Sequence, residues 1–167
     1  MKPSLACLLI ILVNFVDWGE AFSVSVPPVR SVCKNMQPGH DSYKAQQSSP
    51  PFNVTTDVAQ VRGGETVDVT IYAKNGEKFK GFYVQARDEK GTPIGTFNEN
   101  TNAKTHSCSG IKSNAAHHVN SEDKTKVQVS WTAPASYKGT VQIQATVVQR
   151  FTTYWMQIKA NPISIVS

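Results

Sequence analysis

Histidine, cysteine and lysine are the side chains in this sequence with the widest chemical reach. Four histidines stand at positions 40, 106, 117 and 118. An imidazole binds metals and moves protons near neutral pH, so their spacing is the first question. Neighbours on a strand point to opposite faces, so a strand-borne pair at His117 and His118 does not offer both rings to one ion. No CxxC or comparable ligand spacing accompanies them. His40, His106, His117 and His118 therefore read as polar surface residues, with no metal and no cofactor expected. Nucleophile and metalloprotease signatures are also missing: the chain holds no GxSxG and no HExxH. Its few carboxylates, among them Asp88, Glu89, Glu122 and Asp123, adjoin turns. The expected protein is not an enzyme.

The cysteines are more informative. Cys7 lies in "LACLLIILVNFV" (5–16), an apolar run that follows Met1 and Lys2. Gly19 and Ala21 then occupy the −3 and −1 positions of a cut after Ala21. This is the pattern of a secretory signal peptide over residues 1–21. The run is too short for the ~20 apolar residues of a bilayer helix. Residues 22–167 are then a single secreted domain with no membrane span. Cys33 and Cys108 remain as an even pair in an oxidising compartment, and the expectation is one disulfide between them. Closing so long a loop stabilises a fold by roughly 4–5 kcal/mol in the chain-entropy picture.

Loss of the leader removes Lys2, Asp17 and Glu20 and raises the formal charge from +5 to +6. The basic residues are dispersed, with no stripe and no nucleic-acid motif, so nucleic acid is not an expected partner. Lys74, Lys78, Lys80, Arg87 and Lys90 flank the turns around "FKGFYVQARDEKG" (79–91). Lys74, Lys78 and Lys80 are the closest group, carried by a single short turn. They are the candidate contact for anionic envelope polymers, with Tyr83 as a candidate aromatic contact; the other reading is that Phe79 and Tyr83 pack under the lead-in. Tyr154 and Trp155 point oppositely on a strand, so one of the two is expected at the surface. Asn53 opens "NVT", the one glycosylation sequon in the chain.

The elements that must position these residues are strands. "ETVDVTIYA" (65–73) alternates Val67, Val69, Ile71 and Ala73 with polar neighbours. "TKVQVSW" sets Val127, Val129 and Trp131 on one face, and "GTVQIQATVVQ" sets Val141, Ile143, Ala145 and Val147 on one face. In "FKGFYVQAR", Phe82, Val84 and Ala86 form the core face, opposite Phe79, Gly81, Tyr83, Gln85 and Arg87. Gly81 there leaves room for a close neighbour. Period-two alternation with β-branched residues marks strands buried on one face and wet on the other. Turn signals at "RGGE", "KNGE", "EKGTP" and "APASYKG" separate them. The reading is all-β: seven to nine strands in an immunoglobulin-like antiparallel two-sheet β-sandwich. Residues 22–51, with five prolines, read as an irregular lead-in without helix.

Six segments in order carry a resemblance. "CKNMQPGHDS" (33–42), "SPPFNV" (49–54), "FKGFYVQAR", "WTAP" (131–134), "GTVQIQATVVQ" and "TTYW" (152–155) are similar to the reeler (reelin-type) domain. Cys33 and Cys108 fall where that domain has its paired cysteines. A secreted chain that is only such a domain resembles the insect defense-protein (noduler-like) group. The resemblance implies an innate-immunity protein that recognises microbial surfaces, with an antimicrobial or nodulation role. Lipopolysaccharide, lipoteichoic acid and glucan are the expected partners. The rival expectation is a matrix or developmental module that binds glycosaminoglycan or a receptor.

Overall fold

The computed structural model describes residues 30–40 and 42–167. The leader expected over 1–21 lies outside the described residues. One helix and eleven strands follow in order: α1 (Arg30–Asn35), β1 (Phe52–Thr56), β2 (Gln60–Arg62), β3 (Thr66–Ala73), β4 (Gly81–Arg87), β5 (Thr96–Phe97), β6 (Ala103–Cys108), β7 (Ile111–His118), β8 (Lys126–Thr132), β9 (Gly139–Arg150), β10 (Thr153–Lys159) and β11 (Ile163–Val166). Among the described residues no helix is long and apolar enough to cross a membrane.

The strands form the expected immunoglobulin-like sandwich. A four-stranded sheet runs β1-β3-β8-β5. A seven-stranded sheet runs β2-β11-β9-β4-β7-β6, with β10 also paired to β9. Val69 stands opposite Val129 in the first sheet, and Val84 opposite Ala145 in the second. Val67, Val69, Ile71, Phe82, Val84, Val127, Val129, Trp131, Val141, Ile143 and Val147 are all buried where the two inner faces meet. Trp131 is fully enclosed and its indole N–H donates to the Ile94 carbonyl at 3.0 Å. The pairing is not antiparallel throughout: β11 runs parallel to β2 while pairing antiparallel with β9. The extra strands beyond nine are short pieces, β2 and β5, that sequence periodicity is too brief to register.

Alternation survives on the four-stranded sheet. On β3, Asp68 and Thr70 are half exposed between the buried Val67, Val69 and Ile71. It fails on the larger sheet. Gln85, His117, Gln144 and Thr146, expected to face water, are buried, and Tyr83 packs under the lead-in. The lead-in covers Tyr83, Gln85, Gln144 and Thr146. Residues 30–35 form a helix after all, in the proline-free window before Pro38. Val32 and Met36 pack on Tyr83 and Ala115 as a second, smaller core. Polar groups of the strands satisfy the backbone of this cover, as burial requires. Thr146 Oγ1 donates to the Met36 carbonyl at 2.7 Å. Arg87 donates to the Cys33 and Lys34 carbonyls at 2.8 and 2.9 Å, closing the C-terminal end of α1.

Candidate functional site

Three connections meet at one end of the sandwich. Gly81 at the start of β4 pairs with Val148 near the end of β9, and Phe79 bridges Lys124. The turn 74–80, the loop 119–125 and the β9–β10 hairpin tip at Arg150–Thr153 therefore lie together. Gln149 Nε2 donates to Glu77 at 2.7 Å and ties the first to the last.

The expected lysine group sits here, but its charge is partly cancelled. Lys78 Nζ and Lys80 Nζ lie 3.5 and 3.2 Å from the Asp123 carboxylate, all well exposed. Lys80 first, then Lys78, holds the Asp123 carboxyl below its usual range. Lys74, half-buried at the start of the turn, makes no ion pair among the described residues. Lys124 is committed to structure: its Nζ donates to the carbonyls of Lys80, Asn120 and Glu122 at 3.1, 2.9 and 2.7 Å, and to Asn120 Oδ1 at 2.9 Å. Partial burial pulls its pKa down.

Exposed aromatic rings join this end, and they are not the expected ones. Tyr83 is 3% exposed, packed under α1, so it is no surface contact; burial raises its phenol pKa. Tyr154 and Trp155 do point oppositely, yet both are buried. The lead-in covers Tyr154, whose Oη donates to the Tyr43 carbonyl at 2.7 Å. Trp155 lies edge-on to Phe52, with its N–H donated to the Ser48 carbonyl at 3.1 Å. The exposed rings are Phe151 at the hairpin tip, 49% accessible, and Tyr43 of the lead-in, 42%. They meet edge to face with centroids 5.8 Å apart, and His40 stacks on Phe151 at 4.4 Å. Arg150 and Lys44 are exposed beside them. Phe151 carries a signal in the sequence: an aromatic residue in the turn "QRFTT" has no strand face to fill.

The histidines also depart from the surface expectation, through contacts of their own. His117 is buried, with Nδ1 at 2.9 Å from the His118 carbonyl. His118 presses its ring against Gly81, where a Cβ would stand 3.0 Å from the imidazole, and its Nδ1 lies 3.3 Å from the Phe82 N–H. Gly81 thus accommodates the close neighbour its position suggested. Burial is the main cause that lowers the pKa of both rings. His106 is half-buried, 4.0 Å from Cys33 Sγ. Cys33 on α1 and Cys108 at the end of β6 are joined in a disulfide across 75 residues, with Cα atoms 5.5 Å apart. Asn53 on β1 is half-buried, and its Nδ2 donates to Tyr72 Oη at 2.9 Å, so a glycan there displaces that bond.

Comparison with known proteins gives four findings. A profile described as Reeler domain matches residues 31–167. The chain is 34% identical to a Bombyx mori protein named "Putative defense protein", over 97% of this chain and 98% of that one. It is 33% identical, over 93% of its length, to a Danio rerio protein named "Putative ferric-chelate reductase 1", of which it spans only 27%. Among solved structures, the human F-spondin reeler domain superposes with a TM-score of 0.61 at 21% identity, covering 75% of this chain and 96% of that one. At that identity the likeness is one of fold.

Proposed function

This chain belongs to the Reeler domain family, and from that premise we propose that it is a secreted defence protein that binds anionic polymers of microbial envelopes. Its similarity to a defence-named protein runs the whole length of both chains. The reductase-named relative contains much besides this region, so no reaction is carried over from it. The observation that supports the reading is that the turn carrying Lys74, Lys78 and Lys80 lies at the same end of the sandwich as the hairpin tip with Arg150 and the exposed Phe151, which meets Tyr43.

A lysine or arginine there meets a phosphate or carboxylate in water, so each contact contributes about 1 kcal/mol or less. Asp123 restrains the pair Lys78 and Lys80, and a polymer with closely spaced anions competes with it for them. Exposed aromatic faces add stacking on sugar rings or burial in a lipid interface. Such contacts are weak singly, and repeating polymers compensate through avidity when several protein copies bind.

The test is binding to immobilised lipopolysaccharide, lipoteichoic acid and glucan across a salt series. Wild type is compared with Lys74/Lys78/Lys80→Ser and with Tyr43/Phe151→Ser. Screening should weaken wild-type binding between 0.05 and 0.5 M salt, taken as about a fourfold or larger loss, as the Debye length shortens. The lysine variant should bind less and show a flatter salt dependence. Binding that stays unchanged in salt and in both variants removes this surface from the mechanism. Strong retention on heparin without binding to whole bacteria favours the matrix reading instead.

A further inference from the structure

The disulfide does not stand alone. One ligand atom from each of Cys33, Cys108 and His106 lies within 4.8 Å of the other two. His106 comes from the middle of β6, Cys108 from its end, and Cys33 from α1. The chain positions 33, 106 and 108 carry no metal motif in sequence. The helix that folds over the sheet creates the cluster.

We propose that in the reduced chain Cys33, Cys108 and His106 form a three-ligand site for Zn²⁺ or a cation of similar softness. Two thiolates and one imidazole are the donor set such an ion prefers, and together they neutralise its charge. Tetrahedral bonds of about 2.3 Å to sulfur and 2.0–2.1 Å to nitrogen hold the donors roughly 3.5–3.8 Å apart. His106 Nε2 already stands 4.0 Å from Cys33 Sγ. The two sulfurs need only separate once their bond is broken, with the Cα atoms at 5.5 Å. Cys33 and His106 are half-buried, which leaves the fourth position open to a water. No carboxylate belongs to the group among the described residues.

Two features around the sulfurs suit this second state. Tyr83 Oη and Gln85 Nε2 lie 3.2 and 3.4 Å from the enclosed Cys108 Sγ, two donors that favour a thiolate there. The sulfurs are also kept together by other means. Arg87 holds the carbonyls of Cys33 and Lys34, and Thr146 holds that of Met36. Opening the site takes two electrons and two protons: a dithiol supplies both and becomes a disulfide, whereas a phosphine supplies the electrons and becomes its oxide, with water giving the oxygen and the protons. Metal binding then releases the two thiol protons.

The experiment uses the chain carrying Cys7→Ser, so that only Cys33 and Cys108 supply thiols. It is reduced with a phosphine, desalted without oxygen and titrated with Co²⁺. Far-ultraviolet circular dichroism follows the fold at each step. The expected result is one ion per chain, with a near-ultraviolet thiolate-to-cobalt band and the intense visible bands of a four-coordinate ion, all abolished by Zn²⁺. His106→Gln should weaken Zn²⁺ binding by at least about tenfold, and the unreduced protein should give no band. No cobalt band in the reduced chain, folded or not, overturns the proposal. Equal Zn²⁺ affinity of wild type and His106→Gln overturns it as well, because two thiols of a loosened chain would bind without the imidazole.

Discussion

A buried imidazole is a statement about pH. His118 meets Gly81 and the Phe82 backbone, with His117, Lys124 and His40 as the charged or titratable groups acting on it. Burial, the largest cause, lowers its pKa and that of His117 below the ordinary value near 6.5. The folded state then resists a proton that the unfolded chain accepts. Stability from these rings is complete above about pH 6.5 and is lost as pH falls from there through the folded-state values. Denaturant midpoints should drop between pH 7.5 and 5. His117→Gln with His118→Gln should shrink that drop. His106, lowered the same way, remains to supply part of it. An identical drop in the double variant would contradict the assignment. The same residues mark the limit of reading residue types alone. The two neighbouring rings lie with centroids 6.1 Å apart, and polarity alone read both as surface, whereas His117 is buried and His118 half-buried against Gly81 and Phe82.

At the scale of elements, the inner faces were legible and the outer face of the larger sheet was not. Val67, Val69 and Ile71 repeat every second residue because two neighbouring strands and one facing sheet impose a single period on them. Gln85, Gln144 and Thr146 repeat with the same period and look like a wet face. They are instead hydrogen-bonding partners of a lead-in whose contacts span 52 to 110 residues of chain. No local pattern encodes that. The lead-in also encloses Tyr83, whereas Phe151, touched by its Tyr43 and His40, stays exposed together with Tyr43. The two faces predict different responses. Val129→Ala, in the fully enclosed inner layer, should cost roughly 1–3 kcal/mol in denaturant unfolding through lost burial and a cavity. Thr146→Val keeps the shape but strands the buried Met36 carbonyl, and should cost about 1–3 kcal/mol. A cost near zero would mean that the cover, and α1 with it, is not held as described.

For the whole molecule, the disulfide and Arg87 fasten the cover from two sides, and the sandwich beneath is closed by its final strand. Removing residues 163–167 should therefore do more than trim an end. β11 is the hydrogen-bonded neighbour that joins β2 to β9, and Ile163 and Ile165 are buried. A chain truncated after Pro162 should lose cooperative unfolding and bind a hydrophobic dye, whereas removing Ser167 alone should change neither. Truncated protein that still unfolds in one sharp transition would show that β11 only lines an edge. The parallel pairing of β11 with β2 also sets a clock. β2 is made about 100 residues before the partner it needs, so a growing chain carries an unpaired strand edge until β11 has been made and has docked. During that interval the edge of β2 is a template for stray strand addition by another chain.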